Sequence, residues 1–354
     1  MHKNRFLFII YVALFSVLVL VVNSVGAAPK DGPVVNLGTT QSEFNASQDV
    51  SITVTISNPT RHSVRILKWF TPMDGLEESI FTINLDGESV SYTGAYYKRP
   101  AATGNDYLGL KAGESVSYIV NLGNYYDLSG TGQYEVSYNA ASYILFSEKG
   151  NSANRPDSLT SEPISFEAEG RTAKGKPTPP PPPPPGSSSF KSCTTTQQTI
   201  LRAAREQAST YAAESNNYLG IHPDTSRYLT WFGVFDVSRY TTVSSHFAAL
   251  SNAWDNAGVT FDCGCKKSYY AYVYPTQPYN IYLCRVFWTA PLVGTDSQGG
   301  TLIHEMSHFN VVASTDDFVY GQAGAKNLAI TNPTNAVMNA DNHEYYAENN
   351  PWQP

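Results

Sequence analysis

A run of seven prolines at residues 179–185 constrains the fold of this chain more than any other feature. Consecutive prolines hold the backbone in a stiff extended form, and the Gly/Ser segment that follows is flexible. Such a segment packs into no hydrophobic core, so it separates two domains. A chain of 354 residues is long enough for each domain to bury its own core. We predict one domain over 29–173, a linker over 174–189 and a second domain over 190–354.

The first half of the chain has the pattern of an all-β domain. Apolar and polar residues alternate at 50–56, 115–120 and 133–138, and Asn-Pro and Asp-Gly pairs separate such runs. Short alternating strands with turn signals between them are typical of an antiparallel sandwich. We therefore predict an Ig-like antiparallel β-sandwich over 29–173. No cluster of catalytic residue types occurs in this half.

The second half has a different pattern. Residues 197–218 and 240–256 carry apolar side chains at helical spacing, and 333–348 also has the character of a helix. The runs at 259–261 and 269–274 are β-type. This combination predicts a mostly helical α+β domain with a small sheet.

The amino-terminal residues indicate the compartment. Residues 1–5 are basic, 6–22 are apolar and 25–28 are small, which is the pattern of a signal peptide over 1–28. A retained membrane anchor is the alternative, but the apolar run falls short of a comfortable span. No later segment is apolar enough to cross a bilayer. We expect a secreted, extracellular protein with no stable membrane association.

The charge of the chain bears on its binding partners, and its cysteine content bears on its disulfides. The net charge is −7 and there is no basic run to neutralise phosphates, which argues against a nucleic-acid partner. An even number of cysteines in an oxidising compartment predicts two disulfides, with three possible pairings. Zinc binding by these residues is a weak alternative, because the chain has no CxxC pair. The four cysteines are Cys193, Cys263, Cys265 and Cys284.

Residues 304–308, His-Glu-Met-Ser-His, offer two metal ligands and a base. Residues i and i+4 of a helix face the same way, so His304 and His308 can bind one ion, and zinc suits such ligands. Bound zinc lowers the pKa of water from near 16 to about 7. Glu305 is then placed to accept the proton and deliver it to the leaving amine.

A catalytic zinc ion usually has a third protein ligand. The next histidine after His308 is His343, thirty-five residues further on, which does not match the spacing of three-histidine zinc sites. Asp316 and Asp317 follow the motif closely. Either aspartate could be the ligand, and spacing alone does not choose between them.

The HExxH motif followed by residues 314–321, Ser-Thr-Asp-Asp-Phe-Val-Tyr-Gly, resembles the aspzincins, the deuterolysin-like metallopeptidases. The resemblance extends over 190–354 and is closest to their peptidyl-Lys metalloendopeptidases. It implies a zincin-like fold, one zinc ion per chain and Asp317 as third ligand. Ser314 replaces the glycine of the family pattern, which affects only the local turn. Tyr320 matches the family tyrosine, which implies that it donates to the oxyanion of the reaction; one helical turn from Asp317 would aim both residues at the site.

The resemblance also implies a disulfide pairing. It joins Cys193 to Cys263 and Cys265 to Cys284. Each disulfide closes a loop and is expected to contribute on the order of 3 kcal/mol to stability.

Asp341 and Glu344 are three residues apart, so on a helix their carboxylates share a face. Two acids aimed into one pocket suit the compact charge of a lysine ammonium; a solvated acidic face is the alternative. The resemblance implies that this pair selects lysine on the leaving-group side, so that protein or peptide substrates are cut at Xaa-Lys bonds. His343, between them, is expected to be a structural hydrogen-bonding residue.

An amino-terminal domain joined to a protease by a cleavable linker suggests a zymogen. The β-sandwich would then be a prodomain that inhibits the enzyme within the same chain, which we expect to be a monomer. Lys174, Lys176 and Lys191 flank the linker, so a lysine-directed enzyme could release itself. Lys98 is a candidate plug whose ammonium would occupy the pocket of Asp341 and Glu344.

Two alternatives remain open at this point. The sandwich could be a permanent binding module on a metalloprotease of broader specificity; the mass of the secreted protein distinguishes a removed prodomain from a retained module. The chain could also be a zinc-dependent structural protein. Glu305 and Tyr320 argue against that reading, because a purely structural zinc site needs neither.

Overall fold

The computed structural model shows a β-rich first half and a mostly helical second half. The predicted signal peptide and residues 174–180 of the predicted linker lie outside the described residues. Within the described part of the chain, no helix is both long and apolar enough to span a membrane. The described ranges are 32–146, 156–171, 181–221 and 224–354.

The first half is built of β-strands. They are β1 (Val34–Gly38), β2 (Glu43–Phe44), β3 (Ser51–Ser57), β4 (Val64–Leu67), β5 (Phe81–Leu85), β6 (Glu88–Ser89), β7 (Tyr96–Lys98), β8 (Tyr107–Leu110), β9 (Ser115–Asn121), β10 (Gly132–Ser142), β11 (Asp157–Thr160) and β12 (Ile164–Ala168). One sheet has the order β1-β3-β9, and a larger one has the order β2-β12-β10-β5-β6 with β11 beside β10. Strands β4 and β8 form a separate pair.

The two larger sheets contribute to one hydrophobic core. Ile52, Val54 and Ile56 alternate with more exposed residues along β3, as the sequence pattern predicts. Tyr134 and Val136 of β10 lie in the same core. The first half is therefore β-rich as expected, and its specific Ig-like arrangement stays a prediction.

The second half consists of helices around a small sheet. The helices are α1 (Thr195–Ile221), α2 (Ser226–Phe232), α3 (Val237–Asn256), α4 (Gln298–His308), α5 (Gly321–Thr331), α6 (Pro333–Ala336) and α7 (Ala340–Glu348). The strands are β13 (Ser188–Lys191), β14 (Val259–Asp262), β15 (Ala271–Val273) and β16 (Asn280–Leu283). Helix α4 packs against α1 and α7, which buries it completely.

The sheet of the second half incorporates a strand from the first half. Its order is β13-β14-β16-β15-β7, with β13, β14 and β16 parallel to one another. Strand β7 pairs antiparallel with β15, so that Lys98 lies opposite Ala271 and Tyr96 lies opposite Val273. The two halves therefore share one sheet, which the composition of the chain does not indicate.

Two local predictions differ from the structure. The single helix expected over 333–348 is wrong, because Val337–Asn339 interrupts it between α6 and α7. Ser188 and Ser189, placed in the linker by composition, belong to β13. Pairing with β14 and the stacking of Phe190 on Phe261 outweigh the flexibility of the serines.

The structure contains disulfides between Cys193 and Cys263 and between Cys265 and Cys284. These are the pairs that the family resemblance implies. The first joins the start of the helical half to the end of β14, and the second joins the segment before β15 to the end of β16. Both disulfides therefore fasten the small sheet that carries β7.

Candidate metal centre

Helix α4 positions the first two candidate ligands. The hydroxyl of Ser297 caps its amino terminus by accepting a hydrogen bond from the backbone N–H of Gly300. Every residue of the helix is buried, including His304, Glu305 and His308. A buried polar helix without bound partners would be costly, which indicates that these side chains serve a site.

Asp317 completes a group of three ligand atoms. Its Oδ1 lies 3.3 Å from Nε2 of His304, and its Oδ2 lies 3.5 Å from Nε2 of His308. Candidate ligand atoms of the three residues all lie within 4.8 Å of one another. Asp316, which spacing could not exclude, instead accepts a hydrogen bond from the backbone N–H of Asp317. We call His304, His308 and Asp317 the metal trio.

The metal trio fits a zinc ion. The facing Nε2 atoms and both Asp317 oxygens are buried and make no well-formed hydrogen bond to any other described residue. Buried polar atoms without partners are rare, and here they converge on one point. Two imidazoles and one carboxylate are a common donor set of catalytic zinc, which keeps one position open.

The opposite ring atoms of the two histidines lie close to acceptor oxygens. Nδ1 of His308 lies 2.9 Å from the carbonyl oxygen of Thr315, and Nδ1 of His304 lies 2.8 Å from Oδ1 of Asp341. Such partners fix the ring orientation and leave Nε2 free for a metal. Asp341, predicted only as part of the lysine pocket, therefore also supports a candidate ligand.

The loop that carries Asp317 is held by Asn339. Its Oδ1 accepts hydrogen bonds from the backbone N–H groups of Phe318 and Val319. The segment is irregular, so the helical turn expected between Asp317 and Tyr320 is wrong. Tyr320 instead has an extended backbone immediately before α5.

The surroundings shift the titration of the buried groups. Burial raises the pKa of Glu305 to about 8; His304 opposes this shift and Asp317 adds to it. Burial lowers the pKa of His308 to about 4. Burial would raise the pKa of Asp317, but His308 and His304 outweigh it and hold that pKa below its ordinary value. His308 is thus held as the neutral imidazole and Asp317 as the ionised carboxylate, the forms that bind metal. Burial alone would lower the pKa of His304, but Asp317 outweighs it and raises that pKa well above its ordinary value, so a metal would displace a proton from this imidazole.

A lysine of the first half occupies the predicted lysine pocket. The Nζ atom of Lys98 lies 2.6 Å from Oε2 of Glu344 and 3.3 Å from Oδ1 of Asp341. The rings of Tyr270 and Tyr345 lie 5.1 and 5.5 Å from the same nitrogen. All of the Lys98 side chain is buried.

Tyr320 is bound by residues of the first half. Its hydroxyl contacts the Arg99 guanidinium and lies 3.1 Å from Oε1 of Glu78, and its ring packs edge-on against Trp69. Tyr96 stacks on the ring of His308 with a centroid distance of 5.0 Å. Residues 96–99 therefore cover the metal trio, the lysine pocket and Tyr320 together.

Sequence reasoning missed several residues of this region. Arg99, Glu78 and Trp69 lie in a half of the chain that shows no catalytic pattern. Of the three, only Arg99 had a signal in the sequence, namely its position next to Lys98. Asp296 also contacts Lys98, with Oδ1 3.1 Å from Nζ. Asp296 could have been predicted from the sequence, because residues 295–298 are part of the segment that resembles the family.

Together, the helix with two buried histidines, the adjacent buried glutamate and the converging aspartate define a zinc-dependent metallopeptidase. Comparison with known proteins agrees. The family model described as lysine-specific metallo-endopeptidase, aspzincin M35, matches residues 219–348.

Relatives match along most of the chain. An extracellular protease of Aeromonas hydrophila is 41% identical over 86% of this chain and 90% of its own length. A peptidyl-Lys metalloendopeptidase of Grifola frondosa is 35% identical over 96% of this chain and 100% of its own. The solved structure of a zinc peptidase from Grifola frondosa covers 46% of this chain and 100% of that chain, with 50% identity and a TM-score of 0.44. The chain belongs to the aspzincin family and is a zinc metalloendopeptidase.

Proposed function

We propose that this protein is a secreted endopeptidase, made as a zymogen, that cleaves Xaa-Lys bonds. The observation that carries the proposal is the Lys98 ammonium bound between Asp341 and Glu344, beside the metal trio. It supports a site for a lysine side chain within reach of the hydrolytic groups. The relatives named peptidyl-Lys metalloendopeptidases fit this specificity.

His304, His308 and Asp317 would hold one zinc ion, which supplies the Lewis-acid chemistry of hydrolysis when bound. Glu305 acts as general base. Its carboxyl is buried, and burial raises its pKa above the ordinary carboxyl range, which makes the carboxylate a stronger base. It takes a proton from the attacking water and delivers it to the amine of the departing lysine residue.

Tyr320 stabilises the oxyanion through its hydroxyl. In the intact chain that hydroxyl is held by Arg99 and Glu78. Release of the first half would free it to turn toward the substrate. We therefore assign Tyr320 a role that only the processed enzyme can use.

Strand β7 supports a binding mode for extended peptides. It pairs antiparallel with β15, and the backbone N–H of Tyr270 donates to the carbonyl oxygen of Lys98 at 2.9 Å. Addition of a strand to an open sheet edge is a common mode of peptide recognition. A substrate would take the place of β7 and present its lysine to the same carboxylates.

The contacts of residues 96–99 with the site also support the proposal that the intact chain is inactive. Lys98 in the pocket, Tyr96 on His308 and Arg99 on Tyr320 leave no room for a substrate. Removal of the first half is therefore the activating step that we propose. The two disulfides and the extracellular relative from Aeromonas hydrophila support secretion.

Digestion of a denatured protein mixture by the processed enzyme tests the specificity. We expect new peptides to begin with lysine, as read by mass spectrometry. The matched control is Glu305→Gln, which keeps the side-chain shape and removes the base; it should produce no new peptides. Cuts scattered over many residue types, or cuts after lysine, would contradict the proposal.

A further inference from the structure

We propose that Asp296 is a third specificity-determining residue of the lysine pocket and completes a set of three acceptors for the substrate ammonium. This inference rests on the proposed Xaa-Lys specificity. The Lys98 ammonium, which stands in for a substrate lysine, contacts three carboxylates rather than the two that α7 supplies at Asp341 and Glu344. Asp296 comes from the loop before α4.

The number of acceptors matches the number of donors. A lysine ammonium has three N–H donors and no acceptor. Its nitrogen lies 2.6 Å from Glu344, 3.1 Å from Asp296 and 3.3 Å from Asp341. Asp296 and Asp341 accept hydrogen bonds from the ammonium, and Glu344 forms the shortest ion pair with it. We call Asp296, Asp341 and Glu344 the acceptor tripod.

Asp296 is needed because Asp341 is shared. The Oδ1 atom of Asp341 that faces Lys98 also lies 2.8 Å from Nδ1 of His304, and it has the longest of the three distances to the ammonium. Much of its acceptor capacity is thus used to orient a metal ligand. Asp296 has no contact with the metal trio among its described hydrogen bonds; its Oδ1 accepts from the lysine and from the hydroxyl of Tyr345.

Neighbouring groups fix the position of Asp296. The hydroxyl of Tyr345 donates to Oδ1 at 2.7 Å, and the backbone N–H of Asp296 donates to Oε2 of Glu348 at 3.2 Å. Its φ of 52° is uncommon for a residue other than glycine, and is held by these contacts. A carboxylate that is already in place loses little entropy when the ammonium binds.

The tripod discriminates between the two basic side chains. An ammonium is a compact charge whose three donors diverge from one nitrogen, whereas a guanidinium is planar and presents its donors as a fork. Three oxygens that converge on one point suit the ammonium, whereas they would leave some donors of a guanidinium unpaired. The pocket should therefore exclude arginine by geometry as well as by size.

Two variants of the processed enzyme, Asp296→Asn and Asp296→Ala, test the role. The substrates are two peptides that differ only in Lys or Arg after the cleaved bond. We expect kcat/KM for the lysine peptide to fall by about 10-fold or more, since a hydrogen bond to a charged group is lost. The change should appear mainly in KM, and the Lys/Arg preference should fall by a similar factor.

Controls separate this role from a structural one. Glu206→Gln, an exposed charge change on α1, should leave both peptides unaffected. Tyr345→Phe keeps the ring and removes only the hydrogen bond to Asp296, and should lower the Lys/Arg preference by a smaller factor. Zinc content and thermal midpoint are measured for each variant, and both should match the parent.

The outcomes distinguish the two proposals. A parent enzyme with strict lysine preference and an Asp296→Ala variant within twofold of it would overturn the role of Asp296 and leave the proposed function standing. A loss of kcat and zinc with the Lys/Arg preference unchanged would also overturn it, because that result is structural. A parent that cuts both peptides equally well would overturn the lysine pocket and the tripod together.

Discussion

Asp316 and Asp317 are adjacent in the chain but have different surroundings. The carboxylate of Asp317 faces His304 and His308, whereas that of Asp316 accepts a hydrogen bond from the next backbone N–H. Burial raises the pKa of Asp316 to about 6, while the two histidines lower that of Asp317. The pair provides a matched test of which carboxylate binds the metal.

We expect Asp317→Asn to lower zinc affinity by more than 100-fold, because loss of a ligand costs more than the 10- to 100-fold loss typical of an outer-shell partner. Asp316→Asn should retain zinc within about 10-fold. Zinc content after dialysis against a graded chelator series measures both. Equal zinc retention in the two variants would show that the assigned ligand is wrong.

Helix α7 concentrates polar side chains inside the protein. Asp341, His343, Glu344 and Glu348 are all buried, although a helix at a domain surface would expose most of them. Each has a partner: His343, for example, lies 3.0 Å from both Nδ1 of His246 on α3 and the carbonyl oxygen of Asn339. The helix therefore packs through paired polar groups as well as through its aromatic residues.

The histidine pair predicts acid sensitivity. Burial lowers the pKa of His246 to about 4 and that of His343 to about 3, below the ordinary 6.5. Between the folded pKa values and 6.5, the unfolded chain therefore binds more protons than the folded chain. The free energy of unfolding is highest above pH 6.5 and falls as the pH drops below it. Each histidine should cost about 2 kcal/mol at pH 5 relative to pH 7.

Urea unfolding at pH 7 and pH 5 measures this cost. In the intact chain carrying Glu305→Gln to prevent self-digestion, adding His246→Gln should reduce the pH-dependent loss by about 2 kcal/mol. Replacement of the exposed His62 by Gln should not change it. An undiminished loss in the His246 variant would rule out the pair as its source.

At the scale of the whole molecule, β7 connects the two halves through one sheet and one charged pocket. Burial alone would lower the pKa of Lys98, but Asp341 and Glu344 outweigh it and raise that pKa well above its ordinary value. The ammonium therefore stays charged while it is covered. The proposed latency depends on this lysine together with Tyr96 on His308 and Arg99 on Tyr320.

We expect the intact chain with Lys98→Ala to cleave a short lysine peptide measurably faster than the intact parent, because the pocket is open and its carboxylates have lost their partner. The rate should stay below that of the processed enzyme, because Tyr96 and Arg99 still cover His308 and Tyr320. Lys111→Ala, an exposed change in the same half, should leave the parent rate unchanged. Mass spectrometry confirms that each chain is intact during the assay. If the Lys98 variant is as inactive as the parent, the proposal that Lys98 blocks the lysine pocket is wrong.

The sequence predicts some of these features and not others, for physical reasons. His304 and His308 are readable because their spacing equals one helical turn, and the strands of the first half are readable from alternation. The place of β7 in the second sheet is not, since strand pairing at long range leaves no local pattern. The same holds for the contacts of Arg99 and Glu78 with Tyr320, which lies more than 200 residues away in the chain.

Removal of the first half would also strip a strand from the catalytic sheet. Strand β15, paired on one side by β16 and on the other by β7, would then become an edge with unsatisfied backbone donors and acceptors. Open edges template aggregation between copies. The first half would thus protect the edge of β15 from pairing with other copies of the chain. Processed enzyme stored without substrate should therefore precipitate more readily than the intact chain.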